Sequence, residues 1–404
     1  LDPKTLEQEL VCIGFRNQYD ISLNRFGDMF TYDADMEWDL GSPWYRPTRI
    51  CQVVSGGDYG WRSGTGKWPT YFEDSLPPVV EIGPGSPTGV VSGLGAAFPA
   101  KYQDALFALD WTFGTIYAIH MQPQGAGYIG NSEPFVTGSP LPVTDAVIGQ
   151  DGYLYFTVGG RGTASALYRV RYTGTESTSA ADSKLPSDVV QARETRRRLE
   201  TFHGASLNAE ESKAALDFAW PFLGSEDRFL RSAARVAVES QPVEFWARRV
   251  LKEKSPQAFV TGAIALARMG HDSEVNPSLQ VSLLASLVDA EVENDAQLLG
   301  LLRAVGLTCI RLGAPDRRQR KALLNRFDGV LPHENDDVNT ELIRLLVYLR
   351  SPTVVSKAMN LIDNRDPPVI PDWSELAGRN AGYGGTVKRI LANHPPSREI
   401  GYAL

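Results

Sequence analysis

Apolar and polar positions divide the chain into two halves with different periods. In residues 1–175, short apolar runs alternate with tight glycine-containing turns, which predicts short antiparallel strands. Such strands, recurring every few tens of residues, are typical of β-propeller blades, and at about 40–50 residues per blade they correspond to roughly three or four blades. We expect further blades upstream, because three or four blades are few for a closed ring. The strands are predicted over residues 20–24, 27–32, 104–109, 114–119, 144–148, 153–158 and 166–170.

The second half has the period of amphipathic helices. Residues 227–240 place apolar side chains on one stripe, Pro242 and Pro256 begin the next two helices, and Gly270 ends the third. Because antiparallel helices follow one another with no strands between them, the pattern predicts an α-solenoid. Further helices are predicted over residues 277–289, 295–312, 315–327, 336–349 and 352–363.

A polar, aperiodic stretch separates the halves. Residues 173–186 (TGTESTSAADSKLP) have the composition of a linker. The predicted organisation is a partial β-propeller over residues 1–174, a linker over 175–188 and the helical solenoid over 189–404.

Charge and composition exclude several classes of protein. The 404 residues carry a net charge of −8, and residues 1–175 hold 18 acidic against 11 basic side chains, which argues against nucleic-acid binding. No apolar run is long enough to span a membrane. Three cysteines are too few for a disulfide framework, and no CxxC occurs. The chain begins at Leu1 without a signal-peptide pattern, which we interpret as a sign of an excised piece of a longer protein.

Several motifs in the first half occur in a characteristic order. The runs are Gly14–Asn17 (GFRN), Gly27–Phe30 (GDMF), Gly57–Trp61 (GDYGW), Ser86–Gly89 (SPTG), Phe98–Pro99 and Leu106–Phe107. Their order resembles the soluble quinoprotein glucose/sorbosone dehydrogenase family, which is a six-bladed propeller. Within that family the chain is most similar to large multidomain proteins of planctomycetes, often called membrane-bound dehydrogenase-like. Those proteins join the propeller to HEAT-like repeats and often to a C-terminal cytochrome c domain.

The resemblance implies a cofactor, a substrate class and a compartment. In that family, pyrroloquinoline quinone (PQQ) lies over the propeller centre with a calcium ion, and a histidine base takes a proton from the sugar. The positions carried over to this chain are Arg16 and Asn17 as cofactor contacts, since an arginine fork suits the carboxylates of the quinone. A sugar or alcohol substrate, a cytochrome c domain in the parent protein and a periplasmic or secreted location follow from the same resemblance.

The sequence departs from the family pattern at three places. No histidine precedes His120, no arginine lies in residues 140–145, and no lysine lies beside Asp110–Thr112. No catalytic base is therefore assigned, and we expect the isolated chain to be inactive as a sugar dehydrogenase. The alternative is a non-catalytic scaffold that binds carbohydrate or protein, with a HEAT-repeat surface for a partner.

An acidic loop is the candidate metal site. Asp33, Asp35, Glu37 and Asp39 alternate, so they would share one face of an extended segment, and grouped carboxylates favour Ca²⁺. The sequence therefore predicts Asp33, Asp35 and Glu37 as calcium ligands. The loop does not match an EF-hand, because Trp38 stands where glycine is needed. The alternative is a loop whose carboxylates pair with Arg46 and Arg49.

Other features have two interpretations each. The aromatic residues around the acidic loop either present a sugar-binding surface or pack between blades. Asp110 and Asp145 either face the central funnel or cap turns. Arg196–Arg198 is interpreted as a solvated face, and a bridge between Cys12 and Cys51 is left open. The aromatic residues are Trp38, Trp44, Tyr45, Trp61 and Trp68.

Overall fold

The computed structural model describes residues 2–64, 66–160, 162–270, 278–364, 385 and 397–403, without the side chain of Trp38. The described chain divides into two compact units. The sheet unit comprises residues 2–69 and 77–190, and the helical unit comprises residues 70–76, 191–364 and 397–403. Residues 70–76 thus belong to the helical unit, although they lie in the strand-rich half of the sequence.

The sheet unit is built from short strands, as the alternation predicts. All seven predicted strands are confirmed, and Val80–Gly83 and Gly127–Thr137 are among the strands that the pattern did not indicate. In chain order they are β1 Cys12–Ile13, β2 Ile21–Leu23, β3 Met29–Asp33, β4 Thr48–Val53, β5 Gly57–Asp58, β6 Trp61–Arg62, β7 Gly66–Lys67, β8 Val80–Gly83, β9 Pro87–Ser92, β10 Leu106–Asp110, β11 Thr115–Gln124, β12 Gly127–Thr137, β13 Val143–Ile148, β14 Leu154–Gly160 and β15 Thr163–Val170; a short helix, α1, spans Ala100–Gln103.

Most of these strands form three antiparallel sheets. Their orders are β2-β3-β4-β8, β12-β11-β10-β9 and β13-β14-β15, while β1 pairs in parallel with β5 and β6 pairs with β7. Four-stranded antiparallel sheets are the units of a propeller blade. The assembly of these sheets into a propeller stays a prediction.

The middle sheet buries both of its faces. On β10, Leu106 and Ala108 pack with Phe30 and Tyr32 of the first sheet. The intervening Phe107 and Leu109 pack instead with Val143, Leu154 and Phe156 of the third sheet. Successive side chains of a strand point to opposite faces, so one apolar strand serves two cores. Sheets stacked face to face in this way are what adjacent propeller blades require.

The predicted linker is anchored to the sheet unit. The Gln103 amide donates hydrogen bonds to the carbonyls of Thr178 and Ser179, at 3.3 and 2.9 Å. Arg25 donates to the Ala181 carbonyl at 2.7 Å. These bonds attach the stretch to α1 and to the turn between β2 and β3 of the sheet unit.

The second half is helical, and α-helices are found at the predicted positions except the one beginning at Pro242. Pro256 stands at the first turn of its helix and Gly270 caps its end, as predicted. The helices are α2 Ser187–Glu200, α3 Ala209–Ala219, α4 Arg228–Glu239, α5 Ala247–Val250, α6 Pro256–Met269, α7 Leu279–Val288, α8 Asp295–Arg311, α9 Arg317–Phe327, α10 Asp336–Tyr348, α11 Val354–Asp363 and α12 Ser397–Ala403. Residue 277, where one helix was predicted to begin, lies outside the described residues.

Two expectations about the helical half were wrong in detail. The helix predicted to begin at Pro242 is a 3₁₀ turn, Val243–Phe245, followed by the single-turn α5. Arg197 and Arg198 are exposed as predicted, but Arg196 does not lie on a solvated face, because its side chain is buried and pairs with Glu200 one turn later. A charged helical residue is buried where a partner compensates for its desolvation, which the local charge pattern does not reveal.

Within the described residues, we find no helix that is both long and apolar enough to cross a membrane.

Candidate functional site

The sequence motifs of the first half converge at one place in the sheet unit. The strand before GFRN pairs with the start of GDYGW, where Tyr59 N donates to Ile13 O at 2.9 Å and Trp61 N donates to Gly14 O at 2.8 Å. Gly14 has a φ of +89°, and a Cβ there would lie 2.5 Å from Asp58 Oδ1. The motif therefore needs glycine at this position, because any side chain would displace the GDYGW segment.

Asp33 is the charged centre of the converging segments. Its side chain is fully buried at the end of β3, where Oδ1 accepts the backbone N–H of Arg16 at 2.6 Å. Its Oδ2 faces two buried cations, Arg49 Nε at 2.9 Å and Lys67 Nζ at 3.1 Å. Burial lowers the pKa of Lys67 to about 8, although Asp33 opposes that shift. Asp33 is thus a structural anion that neutralises buried positive charge.

Asp35 is a second buried carboxyl with a different environment. Its Oδ2 accepts the Tyr45 hydroxyl at 2.9 Å, while its buried Oδ1 has no hydrogen-bond partner among the described residues. Burial raises the pKa of Asp35 to about 7, and the Tyr45 hydrogen bond and the charge of Lys67 only partly oppose that rise. A carboxyl with one unpartnered buried oxygen is most stable protonated, or with a donor brought to it by a ligand.

Asp110, at the end of β10, caps the turn that follows. It accepts backbone N–H groups of Ser86, Thr112 and Phe113 at 2.7, 3.1 and 3.1 Å. This confirms the capping interpretation for Asp110. Burial raises its pKa to about 7 against these hydrogen bonds. Asp145 accepts the N–H of the next residue, Ala146, at 2.8 Å.

Arg16 and Asn17, the predicted cofactor contacts, differ in their surroundings. The Arg16 side chain is partly exposed, and its Nη1 donates to the Asp35 carbonyl and lies 3.4 Å from Glu37 Oε2. Asn17 is exposed, with a φ of +51°. The backbone of this motif is therefore held by the acidic loop, and its two side chains lie at the rim of the site.

The carboxylates of the acidic loop do not fit a calcium ion in this arrangement. Asp33 is occupied by two cations, Asp35 accepts from Tyr45, and Glu37 faces Arg16. Across the described ranges, no group of three or more metal-ligating side chains is placed to hold a metal. The predicted pairing of the loop with Arg49 is confirmed through Asp33. Arg46 donates to the carbonyls of Pro43 and Tyr45.

The same residues do not by themselves fit a quinone with three carboxylates. Such an anion needs several cations around it. Arg49 and Lys67 are buried and paired with Asp33, while the partly exposed Arg16 and Arg62 each face a carboxylate of their own, Glu37 and Asp58. The role of Arg16 and Asn17 as cofactor contacts stays a prediction.

Sequence reasoning did not find Lys67 or Tyr45 as parts of the site. Lys67 follows a glycine-rich stretch that lacks the spacing of a phosphate loop, and no local pattern links it to Asp33. Tyr45 stood only in the aromatic set, yet its hydroxyl is the partner of Asp35. His120, with no assigned chemistry, pairs with Glu133 at 2.7 Å. Cys12 and Cys51 are free thiols, so no bridge joins them here.

Comparisons with known proteins find solved structures of low similarity to part of this chain. No family model and no curated protein matches the sequence. One similar solved structure is a proposed oxidoreductase (glucose dehydrogenase) from Thermus thermophilus, with 16% identity, a TM-score of 0.32, and coverage of 41% of this chain and 50% of that chain. Another is the PQQ-bound aldose sugar dehydrogenase of Streptomyces coelicolor, with 13% identity, a TM-score of 0.29, and coverage of 40% and 44%. The match spans half the length of the first of these proteins.

The buried carboxyl of Asp35 predicts a pH dependence of stability. Its folded-state pKa of about 7 lies above the ordinary 3.8, so the folded state holds the proton more tightly than the unfolded state. The contribution of this group to stability is therefore complete below pH 4 and is lost as pH rises to about 7. For a shift of this size the loss is up to about 4 kcal/mol. Asp110 contributes in the same direction.

Replacing Asp35 with asparagine tests this dependence. Between pH 4 and pH 8, the free energy of unfolding of Asp35→Asn is expected to rise relative to that of the wild type. Urea unfolding followed by tryptophan fluorescence measures the difference at each pH. Asp145→Asn, at an exposed carboxyl, is the matched control. A constant difference for Asp35→Asn would contradict the raised pKa.

Proposed function

We propose that the sheet unit is an oxidoreductase-like propeller related to the PQQ-dependent sugar and alcohol dehydrogenases, and that the present chain is inactive on its own. The observation that carries the proposal is the convergence of GFRN, GDYGW and the acidic loop around Asp33. The order of these motifs in the sequence resembles the family, and their contacts place them in one structural centre. The face-to-face packing of three antiparallel sheets supports the propeller architecture.

The proposed inactivity follows from what the site lacks among its described residues. Asp35 and Asp110 are the buried carboxyls with raised pKa near the motif centre, and both are engaged by hydrogen bonds from their own unit. The two buried cations, Arg49 and Lys67, already pair with Asp33. Sugar oxidation needs a base that reaches the substrate and several cationic side chains that bind the carboxylates of the quinone. A periplasmic or secreted location and electron transfer to a cytochrome c domain belong to the same proposal.

A dye-reduction assay with a parallel binding measurement tests the proposal. The purified chain, supplied with PQQ and Ca²⁺, is expected to give no aldose-dependent dye reduction above the protein-free rate. Calorimetric titration with PQQ separates activity from binding, with Arg16→Ala as the site variant and Arg46→Ala as the control. Aldose-dependent turnover by this chain would contradict its inactivity. Saturable PQQ binding that Arg16→Ala removes would support the cofactor relation.

The pairing of Arg49 and Lys67 with Asp33 also favours a second candidate function, a non-catalytic scaffold that binds carbohydrate or protein. In that case Arg49 and Lys67 serve only to stabilise the loop, and the wild-type chain shows no PQQ binding. If titration with PQQ releases only the heat of dilution for both the wild type and Arg16→Ala, the result would favour this scaffold over the oxidoreductase-like propeller.

A further inference from the structure

Residues Thr70–Leu76 (TYFEDSL) form an irregular segment whose side chains are largely buried. The segment belongs to the helical unit, and Phe72, Glu73, Asp74, Ser75 and Leu76 are all less than one-tenth exposed. Two adjacent acidic residues are seldom buried unless each has a partner. The groups that compensate for the charge of Glu73 and Asp74 therefore determine the conformation of this segment.

The two carboxylates are bound by arginines from different helices. Arg231 on α4 donates to both oxygens of Glu73, at 3.0 and 3.1 Å. Arg303 on α8 donates to both oxygens of Asp74, at 2.9 and 2.8 Å, and Arg268 on α6 lies 3.6 Å from Asp74. Bidentate arginine–carboxylate pairs are strong and directional. Although burial opposes it, Arg303 holds the pKa of Asp74 below its usual range.

A further arginine binds the backbone of the segment. Arg228 donates to the carbonyls of Thr70, Phe72 and Ser75, at 3.3, 2.9 and 2.8 Å. Irregular backbone cannot satisfy its own carbonyls, so these bonds depend on the conformation of the segment. The Ser75 N–H donates to the Phe72 carbonyl at 3.1 Å and closes a turn around the two acidic residues.

The aromatic residues of the segment are also recognised. The Arg303 guanidinium lies 4.1 Å from the centroid of the Phe72 ring, and the Tyr71 hydroxyl donates to Glu341 on α10 at 2.9 Å. Gly300 on α8 lies where this segment and α6 approach closely, because a Cβ there would lie 2.7 Å from Val260 Cγ1 and 3.2 Å from Glu73 Cγ. Side chains, backbone and shape therefore all contribute to the fit.

The recognising residues follow one another along a row of packed helices. Helix α4 packs on α6, α6 on α8 and α8 on α10, and each contributes a residue to the segment. Stacked helical hairpins present such rows as an extended peptide-binding surface. We call Arg228, Arg231, Arg268, Arg303 and Glu341 the arginine face.

From these contacts we propose that the arginine face is a peptide-recognition site. It recognises an aromatic residue followed by adjacent glutamate and aspartate, and in this chain it binds Thr70–Leu76. The proposal is independent of the oxidoreductase relation, since it rests on the helical unit alone. A site of this kind recognises its peptide by sequence, so it binds the same residues when they are supplied on a separate molecule once the chain's own segment is removed.

The test uses the full chain with its own segment disabled. In the variant Phe72→Ser/Glu73→Ser/Asp74→Ser, the arginine face is expected to bind a fluorescein-labelled peptide with the sequence of residues 69–77 (PTYFEDSLP). Fluorescence anisotropy measures the binding. The wild type is expected to bind at least about tenfold more weakly, because its tethered segment competes at a high effective concentration.

Matched controls separate recognition from general attraction. A peptide with glutamine and asparagine in place of the acidic pair, and a scrambled peptide of the same composition, are each expected to bind at least about tenfold more weakly. In the variant background, Arg303→Ala is expected to weaken binding by a similar factor. Arg249→Ala removes an exposed arginine that pairs with Asp217, and it is expected to leave binding unchanged.

Two outcomes would overturn the proposal. The first is absence of saturable binding by a variant whose helical circular dichroism matches the wild type. The second is equal binding of the scrambled peptide. If the variant does not fold, the anisotropy experiment is replaced by a measurement of amide hydrogen exchange in residues 70–76 of the wild-type chain. Free peptide at millimolar concentration is then expected to speed exchange in that segment while the glutamine–asparagine peptide does not, and no change with either peptide would also overturn the proposal.

Discussion

Replacing Asp33 with alanine is expected to lower the free energy of unfolding of the sheet unit by about 3–5 kcal/mol. The change leaves Arg49 and Lys67 buried without the carboxylate that both of them face, and it removes the acceptor of the Arg16 N–H. An uncompensated buried cation is among the largest single destabilising effects in a protein. Urea unfolding followed by tryptophan fluorescence measures the loss.

The control for this prediction keeps the side-chain shape at position 33 and changes only the balance between the buried anion and the buried cations. Asp33→Asn alone is expected to be destabilising, and Asp33→Asn combined with Lys67→Met is expected to recover part of the loss, because one unpaired cation is removed with the anion. Asp151→Asn, at an exposed aspartate, is expected to change the free energy of unfolding by less than about 1 kcal/mol. A loss below about 1 kcal/mol for Asp33→Ala would contradict the assignment of Asp33 as the compensating anion.

Replacing Asp74 with alanine is expected to destabilise the helical unit by a similar amount, about 3–5 kcal/mol. The carboxylate is fully buried and binds Arg303 through both oxygens, so its loss leaves that arginine and Arg268 without this anion. Since Arg303→Ala removes the same interaction, the double variant is expected to lose less than the sum of the two single losses. Thermal unfolding monitored by helical circular dichroism measures the three variants.

The exposed pair of Arg249 and Asp217 is the matched control for this cycle. Its N–O distance of 2.7 Å is as short as those at Asp74, but its side chains are 42% and 76% exposed. Solvent screens such a pair, and a coupling of at most about 1 kcal/mol is expected. Equal coupling energies for the two pairs would show that burial adds nothing at Asp74. Because the pKa of Asp74 is lowered in the folded state, its contribution is present above pH 4 and is lost as pH falls further.

The sequence by itself determined most of the elements and their order. Apolar alternation located β10 and β11, and Pro256 with Gly270 bounded α6, because strand period and helix ends are set by neighbouring residues. It also located the motifs that meet at Asp33. It did not indicate β12, since the apolar residues of Gly127–Thr137 lie in adjacent pairs rather than alternating with polar ones, and pairing with β11 makes it a strand.

Only the tertiary structure decided the partners of the buried charges. The sequence placed Asp33 in a candidate metal site, whereas the fold gives it Arg49 and Lys67. Nothing local to Glu73 and Asp74 indicates that they join arginines of α4 and α8. The physical reason is that a buried charge must be compensated by whatever group the fold brings to it, and that group need not be near in sequence. Local pattern therefore predicts where the elements lie, and long-range packing determines which charges neutralise each other.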